Sequence, residues 1–223
     1  MEASRTVEDY LKAIYLAEAT LTSPSDLVPM GQIASAVGVV PGTATSMVKA
    51  LADSGLVRYE PYMGVRLTTA GLRLAGRVLR RHRLIELFLV KVLGMDWAEV
   101  HIEAERLEHA VSDRIIDRID AMLGQPLVDP HGDPIPTSEG TLPRDASLDL
   151  LTAPVDAPLV VARVLDQEPG FLRYVEQRHL MPGRSVIVVA REPGSDAVRL
   201  RSEDGSETTL GTRAASRILV IPA

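Results

Sequence analysis

The sequence predicts a mainly α-helical protein with a smaller β part. The expected layout is a winged helix-turn-helix, a helical middle and a small barrel-like β domain. Three observations carry this. Residues 5–68 run helix, short helix, turn, helix, hairpin, which is the winged helix-turn-helix order. Two long amphipathic helical patterns follow. From about residue 158 the hydrophobic period shortens to that of strands.

The elements follow in order. RTVEDYLKAIYLAEAT (5–20) is an amphipathic helix with Val7, Leu11, Ile14, Tyr15 and Leu16 as apolar members. TSPSDLVP (22–29) is loop chemistry. MGQIASAV (30–37) is a short helix, and GVVPG (38–42) a turn. Pro41 suits the first turn of the next helix, TATSMVKALADSG, which stops at Gly55. LVRYEPYMGVRLT (56–68) is two short strands around a glycine-containing turn. Residues 69–93 and 97–123 are helices separated by GMD (94–96). LVDPHGDPIPT (127–137) is extended and proline-locked, and 138–157 has the polar, acidic composition of a linker. Five strand patterns then follow, LVVARVL, RSVIVVAR, AVRLRS, TTLG and RILVIP, interrupted by one short helix, GFLRYVEQRHL (170–180).

Composition narrows the function. With 46% hydrophobic residues the chain is globular rather than disordered. No apolar run approaches membrane-spanning length and MEASRTVEDY lacks secretory-signal character, so a cytoplasmic protein is expected. Zero cysteines excludes disulfides and thiolate metal sites. The net charge of −6 hides a split: residues 1–94 carry 11 basic and 8 acidic side chains, residues 95–223 carry 13 and 22. Phosphate binding therefore belongs to the first part. There, the second helix of the pair would enter a DNA major groove and the hairpin would reach along the phosphates. Thr43, Thr45, Ser46 and Lys49 lie on the recognition helix, and Arg58, Tyr59, Tyr62 and Arg66 on or near the wing. TATSMVKAL offers no base-reading Arg, so modest base contact with shape readout is expected.

HIEAERLEH (101–109) places His101, Glu105, Glu108 and His109 within one arc of a helix, where an apolar stripe would normally lie. Imidazole and carboxylate without thiolate suits a divalent cation of the manganese, iron and zinc group. His82 and Glu86 form an i, i+4 pair on the preceding helix. The bland alternative, solvated side chains paired with Arg106 or Arg114, weighs against each pair alone and less against two groups on consecutive helices.

VEDYLKAIY, the helix-turn-helix, RRHRLIELFL, EAERLEHAVSD and DPHGDPIP together resemble the diphtheria toxin repressor family of metal-dependent transcriptional regulators, over nearly the whole chain. The resemblance implies a winged helix-turn-helix domain (1–72), a helical metal-binding and dimerisation domain (73–137), a linker (138–157) and an SH3-like C-terminal domain (158–223). It implies a primary metal site of Asp9, Glu105, Glu108 and His109. The ancillary site it implies is His82, Glu86 and His101, with Glu168 from the C-terminal domain. Iron-sensing members have Met where Asp9 stands and Cys where Glu105 stands. Their second C-terminal ligand is Gln, where this chain has Phe171. Manganese-sensing members carry Asp and Glu at the first two positions, as here, and often a Glu one turn after the Asp, where this chain has Lys12. Carboxylates in place of sulfur harden the site and favour Mn2+ over Fe2+, while Zn2+, Co2+ or Cd2+ would bind in vitro.

The expected function is a Mn2+-activated homodimeric repressor of metal-uptake genes on operator DNA, not an enzyme and not membrane-bound. The alternatives are an iron-responsive regulator of the same family and a winged-helix regulator sensing an organic ligand. A dinuclear carboxylate enzyme is a further rival. Such enzymes use Glu-x-x-His pairs on facing helices, and the one such tetrapeptide here, Glu176 to His179, lies in the β-rich domain.

Overall fold

The computed structural model describes residues 4–21, 23, 25–142 and 146–223. Thr22 and Pro24 of the expected loop, 143–145 of the expected linker and the first three residues lie outside the described residues. The chain forms two compact units, one of residues 1–82 with 136–142, the other of 83–135 with 143–223. The boundary falls inside the helix over 69–91.

In the first unit, α1 (Arg5–Glu18) starts at Ser4, whose hydroxyl accepts from the Val7 amide at 3.4 Å. Its buried stripe, Leu11 and Ile14, packs with Ile33 of α2 (Met30–Ala36) and with Val48 and Leu51 of α3 (Pro41–Asp53). Pro41 stands in the first turn of α3, as expected from its fixed φ. The wing is β1 (Val57–Glu60) paired antiparallel with β2 (Gly64–Leu67), and Val28 bridges to Val65. Glu18 ties α1 to the wing by accepting the Leu67 amide at 2.6 Å. Burial pushes its carboxyl above the usual range, against the opposing pull of that amide and of Arg66. Gly71, near the start of α4 (Thr69–Lys91), lies so close to the Leu56 carbonyl that a Cβ would stand 2.0 Å from the oxygen.

In the second unit the expected helix over 97–123 is two helices, α5 (Val100–Leu107) and α6 (Asp113–Met122). The break is local. Ser112 takes extended backbone, with ψ 153°, and Asp113 opens α6 with a carboxylate at its positive end. Glu108 and His109 therefore sit at the exit of α5, not within one continuous stripe.

The β domain is a six-stranded antiparallel sheet, one strand more than the five expected. The strands are β3 (Leu148–Asp149), β4 (Pro158–Val164), β5 (Ser185–Glu192), β6 (Ala197–Ser202), β7 (Glu207–Gly211) and β8 (Ile218–Pro222), in the order β3-β8-β4-β5-β6-β7. The additional strand, β3, falls in the segment with linker composition; Leu150 and Ala153 beyond it are buried in the core. Register shifts near Val161 and Val188 bend the long strands. Two short helices, α7 (Pro169–Glu176) and α8 (Thr212–Ala215), complete the domain. Trp97 and Ala98, from the turn before α5, pack into the same core.

The DPHGDP loop is not extended. Val128 bridges Pro134, and Asp129 Oδ1 accepts from the amides of His131 (2.8 Å) and Asp133 (2.9 Å). An Asp side chain closing a turn on its own downstream amides makes the loop compact despite its prolines.

Candidate metal centre and nucleic-acid interface

On α3 the apolar residues Ala44, Val48 and Leu51 face the core, and the periodicity turns Thr43, Ser46 and Lys49 outward. Thr45 is half-buried and donates its hydroxyl to Pro41 O at 2.8 Å; Ser46 donates to Gly42 O at 3.1 Å. Both hydroxyls keep lone pairs for incoming donors. On the wing, Tyr62 is fully exposed at the tip, in a left-handed conformation (φ 65°). Arg58 is exposed and pairs with Glu60 at 3.3 Å. Tyr59 instead packs against the core, and Arg66 donates to Asp26 O at 2.8 Å. Of the eight expected DNA contacts, Thr43, Ser46, Lys49, Arg58 and Tyr62 are thus presented outward, and Thr45, Tyr59 and Arg66 are half-buried.

One consequence is testable. Lys49→Ala is expected to weaken operator binding several-fold on all sequences alike, and to reduce the slope of log affinity against log salt by about 1. Fluorescence anisotropy over a salt series checks this, and an unchanged slope removes Lys49 from the interface.

In the first unit, Asp9 is half-buried on α1, 3.9 Å from Arg5 one turn earlier. Glu8 is buried and accepts from Arg81 at 2.5 Å. His82 is buried beside Lys12.

In the second unit the acidic and imidazole groups form a chain. Glu86 is fully buried, and its Oε1 stands 3.2 Å from Nδ1 of His101. Nε2 of His101 is 3.6 Å from Glu105, one turn on. Glu108, also fully buried, stands 3.3 Å from Nε2 of His109.

A second group was not singled out from the sequence. Glu86, Asp129 and His131 are all buried, with one ligand atom of each within 4.8 Å of the others. His131 Nε2 donates to Trp97 O at 2.8 Å, and its Nδ1 lies 3.7 Å from Glu86 Oε2. Neither His131 Nδ1 nor Asp129 Oδ2 has a hydrogen-bond partner among the described residues. Burial pushes the Asp129 carboxyl well above its usual range, reinforced by Asp133 and Glu86. Burial acts against a charged His131, but the neighbouring Glu86 and Asp129 outweigh it and raise its pKa. The buried Arg83 stands beside them, its Nε 3.8 Å from Asp129 Oδ2 and its Nη2 3.6 Å from Asp133, and offsets part of the carboxylate crowding. Carboxylate oxygen with imidazole nitrogen, one ligand atom of each residue within reach of the others, is a donor set that fits a divalent cation. The DPHGDP motif was the available signal, but loop chemistry hides burial.

Glu168 does something else. Its carboxylate caps α7, accepting from the amides of Gly170 (2.9 Å) and Phe171 (3.2 Å), and it belongs to none of the metal-capable groups among the described residues. The C-terminal domain reaches the DPHGDP loop by other residues. Arg163 pairs with Asp133, Gln167 donates to Asp133 at 2.7 Å, and the Val164 amide donates to His131 O at 2.9 Å.

Comparison with known proteins agrees with this fold. Residues 2–65 match the iron-dependent repressor N-terminal DNA-binding domain. Residues 68–137 match the iron-dependent repressor metal binding and dimerisation domain, and residues 148–222 the FeoA domain. A helix-turn-helix-type transcriptional regulator of Methanocaldococcus jannaschii is 39% identical over 116 residues, covering 52% of this chain and 90% of its own. The iron-dependent repressor IdeR of Mycobacterium tuberculosis is 36% identical over 163 residues, 70% of this chain and 69% of its own. A solved manganese-dependent transcriptional repressor in complex with manganese superposes with a TM-score of 0.87 at 40% identity, covering 97% of this chain and all of that one. No helix among the described residues is long and apolar enough to cross a membrane. The chain belongs to the diphtheria toxin repressor family and is a metal-dependent, DNA-binding transcriptional repressor.

Proposed function

We propose that this repressor is activated by Mn2+ and, as a cytoplasmic homodimer on operator DNA, represses metal-uptake genes; it binds rather than catalyses. The single observation that carries the metal assignment is the donor set. Asp9, Glu105, Glu108 and His109 offer carboxylate oxygen and imidazole nitrogen, and the chain has no cysteine at all. Hard oxygen donors suit Mn2+, whereas sulfur suits softer ions.

The primary site is proposed from the family motif as Asp9 with Glu105, Glu108 and His109. Its ligands come from α1 of the DNA-binding segment and from the exit of α5. Bound together they fix α1; unbound, their like charges repel. Metal then shifts the population towards the geometry in which two recognition helices of a dimer match two half-sites. The ancillary site is proposed as His82, Glu86 and His101, with Asp129 and His131 adjoining Glu86. Glu168 caps α7 through Oε2, which leaves Oε1 as the oxygen it would offer.

A mobility shift with operator DNA tests the reading directly. Retardation is expected with Mn2+, less with Fe2+ at equal free metal, and none with chelator. Retardation by Fe2+ alone replaces the manganese reading with the iron-responsive one. Metal-independent retardation points instead to an organic effector.

A further inference from the structure

We propose that Tyr62, with Met63 beside it, forms an uncharged wedge at the wing tip that enters the operator's minor groove next to the major-groove site of α3 and sets sequence preference there. The inference rests on the operator-binding reading above, whichever metal activates the protein.

The Met63 amide donates to Glu60 O at 3.1 Å, closing a four-residue turn with Pro61 and Tyr62 at its centre. Proline is confined to negative φ, and Tyr62 stands at φ 65°. That is the type II pattern, whose third position favours glycine. A tyrosine in that position carries backbone strain. The described residues offer its ring no packing that would offset the strain. Tyr62 is fully exposed, and Met63 is 69% exposed. Folding gains nothing from a large aromatic side chain here, so the strain points to a contact outside the chain.

The composition of the tip selects the surface it meets. YEPYMGV (59–65) contains no Lys or Arg. Arg58 pairs with Glu60 at 3.3 Å, and Arg66 donates to Asp26 O at 2.8 Å. A tip without a cation, and with a carboxylate at its base, is poorly suited to phosphate. An aromatic ring beside a thioether suits the sugar walls of a minor groove, where apolar side chains wedge at base steps. The mounting of the wing serves the same end. The Leu56 amide donates to Leu51 O of α3 at 3.0 Å, and Val28 and Val65 exchange two backbone hydrogen bonds of 2.9 and 3.0 Å. Helix and wing are thus joined through backbone within one compact unit. With α3 in the major groove, the tip reaches the neighbouring minor groove. TATSMVKAL has no base-reading Arg, and a wedge sensitive to groove shape supplies discrimination that α3 lacks.

The test uses full-length protein with whichever of Mn2+ or Fe2+ gives retardation, and a duplex of about 30 bp that wild type selects from a random pool. Tyr62→Gly is expected to melt within about 2 °C of wild type or higher, because glycine fits the turn. It is nevertheless expected to bind the duplex about tenfold more weakly. The slope of log affinity against log salt is expected to stay unchanged, because no cation is lost. Tyr62→Phe is expected to bind as wild type does. Hydroxyl-radical footprints of wild type and Tyr62→Gly locate the base pairs under the wing. There, exchange of A·T for I·C, which leaves the minor groove alike, is expected to be tolerated. Exchange for G·C, which adds an amino group to that groove, is expected to weaken wild type and not Tyr62→Gly. A Tyr62→Gly protein that binds as wild type does overturns the proposal. So does an equal loss in Tyr62→Phe, which assigns the contact to the hydroxyl, or a shallower salt slope, which assigns it to phosphate. A wild type that selects no duplex with either metal overturns the operator-binding reading and this proposal with it.

Discussion

Glu108→Gln is expected to abolish Mn2+-dependent operator binding while leaving the protein folded. Glu108 is fully buried at the exit of α5, 3.3 Å from Nε2 of His109. Glutamine keeps the shape of the side chain, so the local packing survives. It loses the charge. The proposed primary site of three carboxylates and one imidazole would rely on that charge to bind a dication. Outer-sphere partners of metal ligands are worth roughly 10- to 100-fold in affinity. A direct ligand is expected to cost at least about 100-fold. Calorimetry with Mn2+ and the mobility shift read the loss, and far-UV circular dichroism with a thermal melt confirms folding. Asp9→Ala is expected to behave alike, without unfolding the protein. A folded Glu108→Gln that still shifts DNA at wild-type Mn2+ concentrations removes Glu108 from the site.

The second large effect is structural and reaches the metal ligands through the loop. Gly132→Ala is expected to destabilise the second unit by about 3 kcal/mol or more, lowering its melting temperature by about 10 °C. Gly132 has φ +85°, and a Cβ there would stand 1.9 Å from the Ala162 carbonyl oxygen and 2.8 Å from Arg163 Cα. Both obstacles are backbone of β4, so no rotamer relieves them. Displacing the loop strains the Val164-to-His131 hydrogen bond and the Arg163 and Gln167 contacts to Asp133. Trp97, the single tryptophan, is 5% exposed and packs 5.5 Å from the His131 ring, centroid to centroid. Its emission is expected to shift to the red in the variant, and Mn2+ affinity to fall. An unchanged melt and emission spectrum shows that β4 does not clamp the loop.

This clamp bears on what the C-terminal domain does. The family pattern assigns it a ligand, Glu168. In this chain Glu168 caps α7, and β4 with the turn after it contacts the loop that carries Asp129, His131 and Asp133. The contacts of this domain that reach the loop are those of Arg163, Val164 and Gln167.

The sequence alone determined the elements whose signals are local. A 3.6-residue apolar period marked α1 and α4, Pro41 marked the start of α3, and the hairpin followed from short strands around Gly64. Glu105, Glu108 and His109 stood out as candidate donors because imidazole and carboxylate on an apolar stripe contradict burial unless something compensates them. The break at 108–112 was missed because its only signal is Ser112–Asp113, with no glycine or proline to announce it. The two-residue strand β3 was missed because so short a strand has no period. Tertiary structure alone decided that Asp129 and His131 are buried beside Glu86, that Lys12 meets His82 across 70 positions of sequence, and that Glu168 turns to its own helix. The physical reason is the same in each case. Periodicity and turn chemistry are set by neighbours a few residues away, whereas burial and charge pairing depend on which distant segments the folded core brings together.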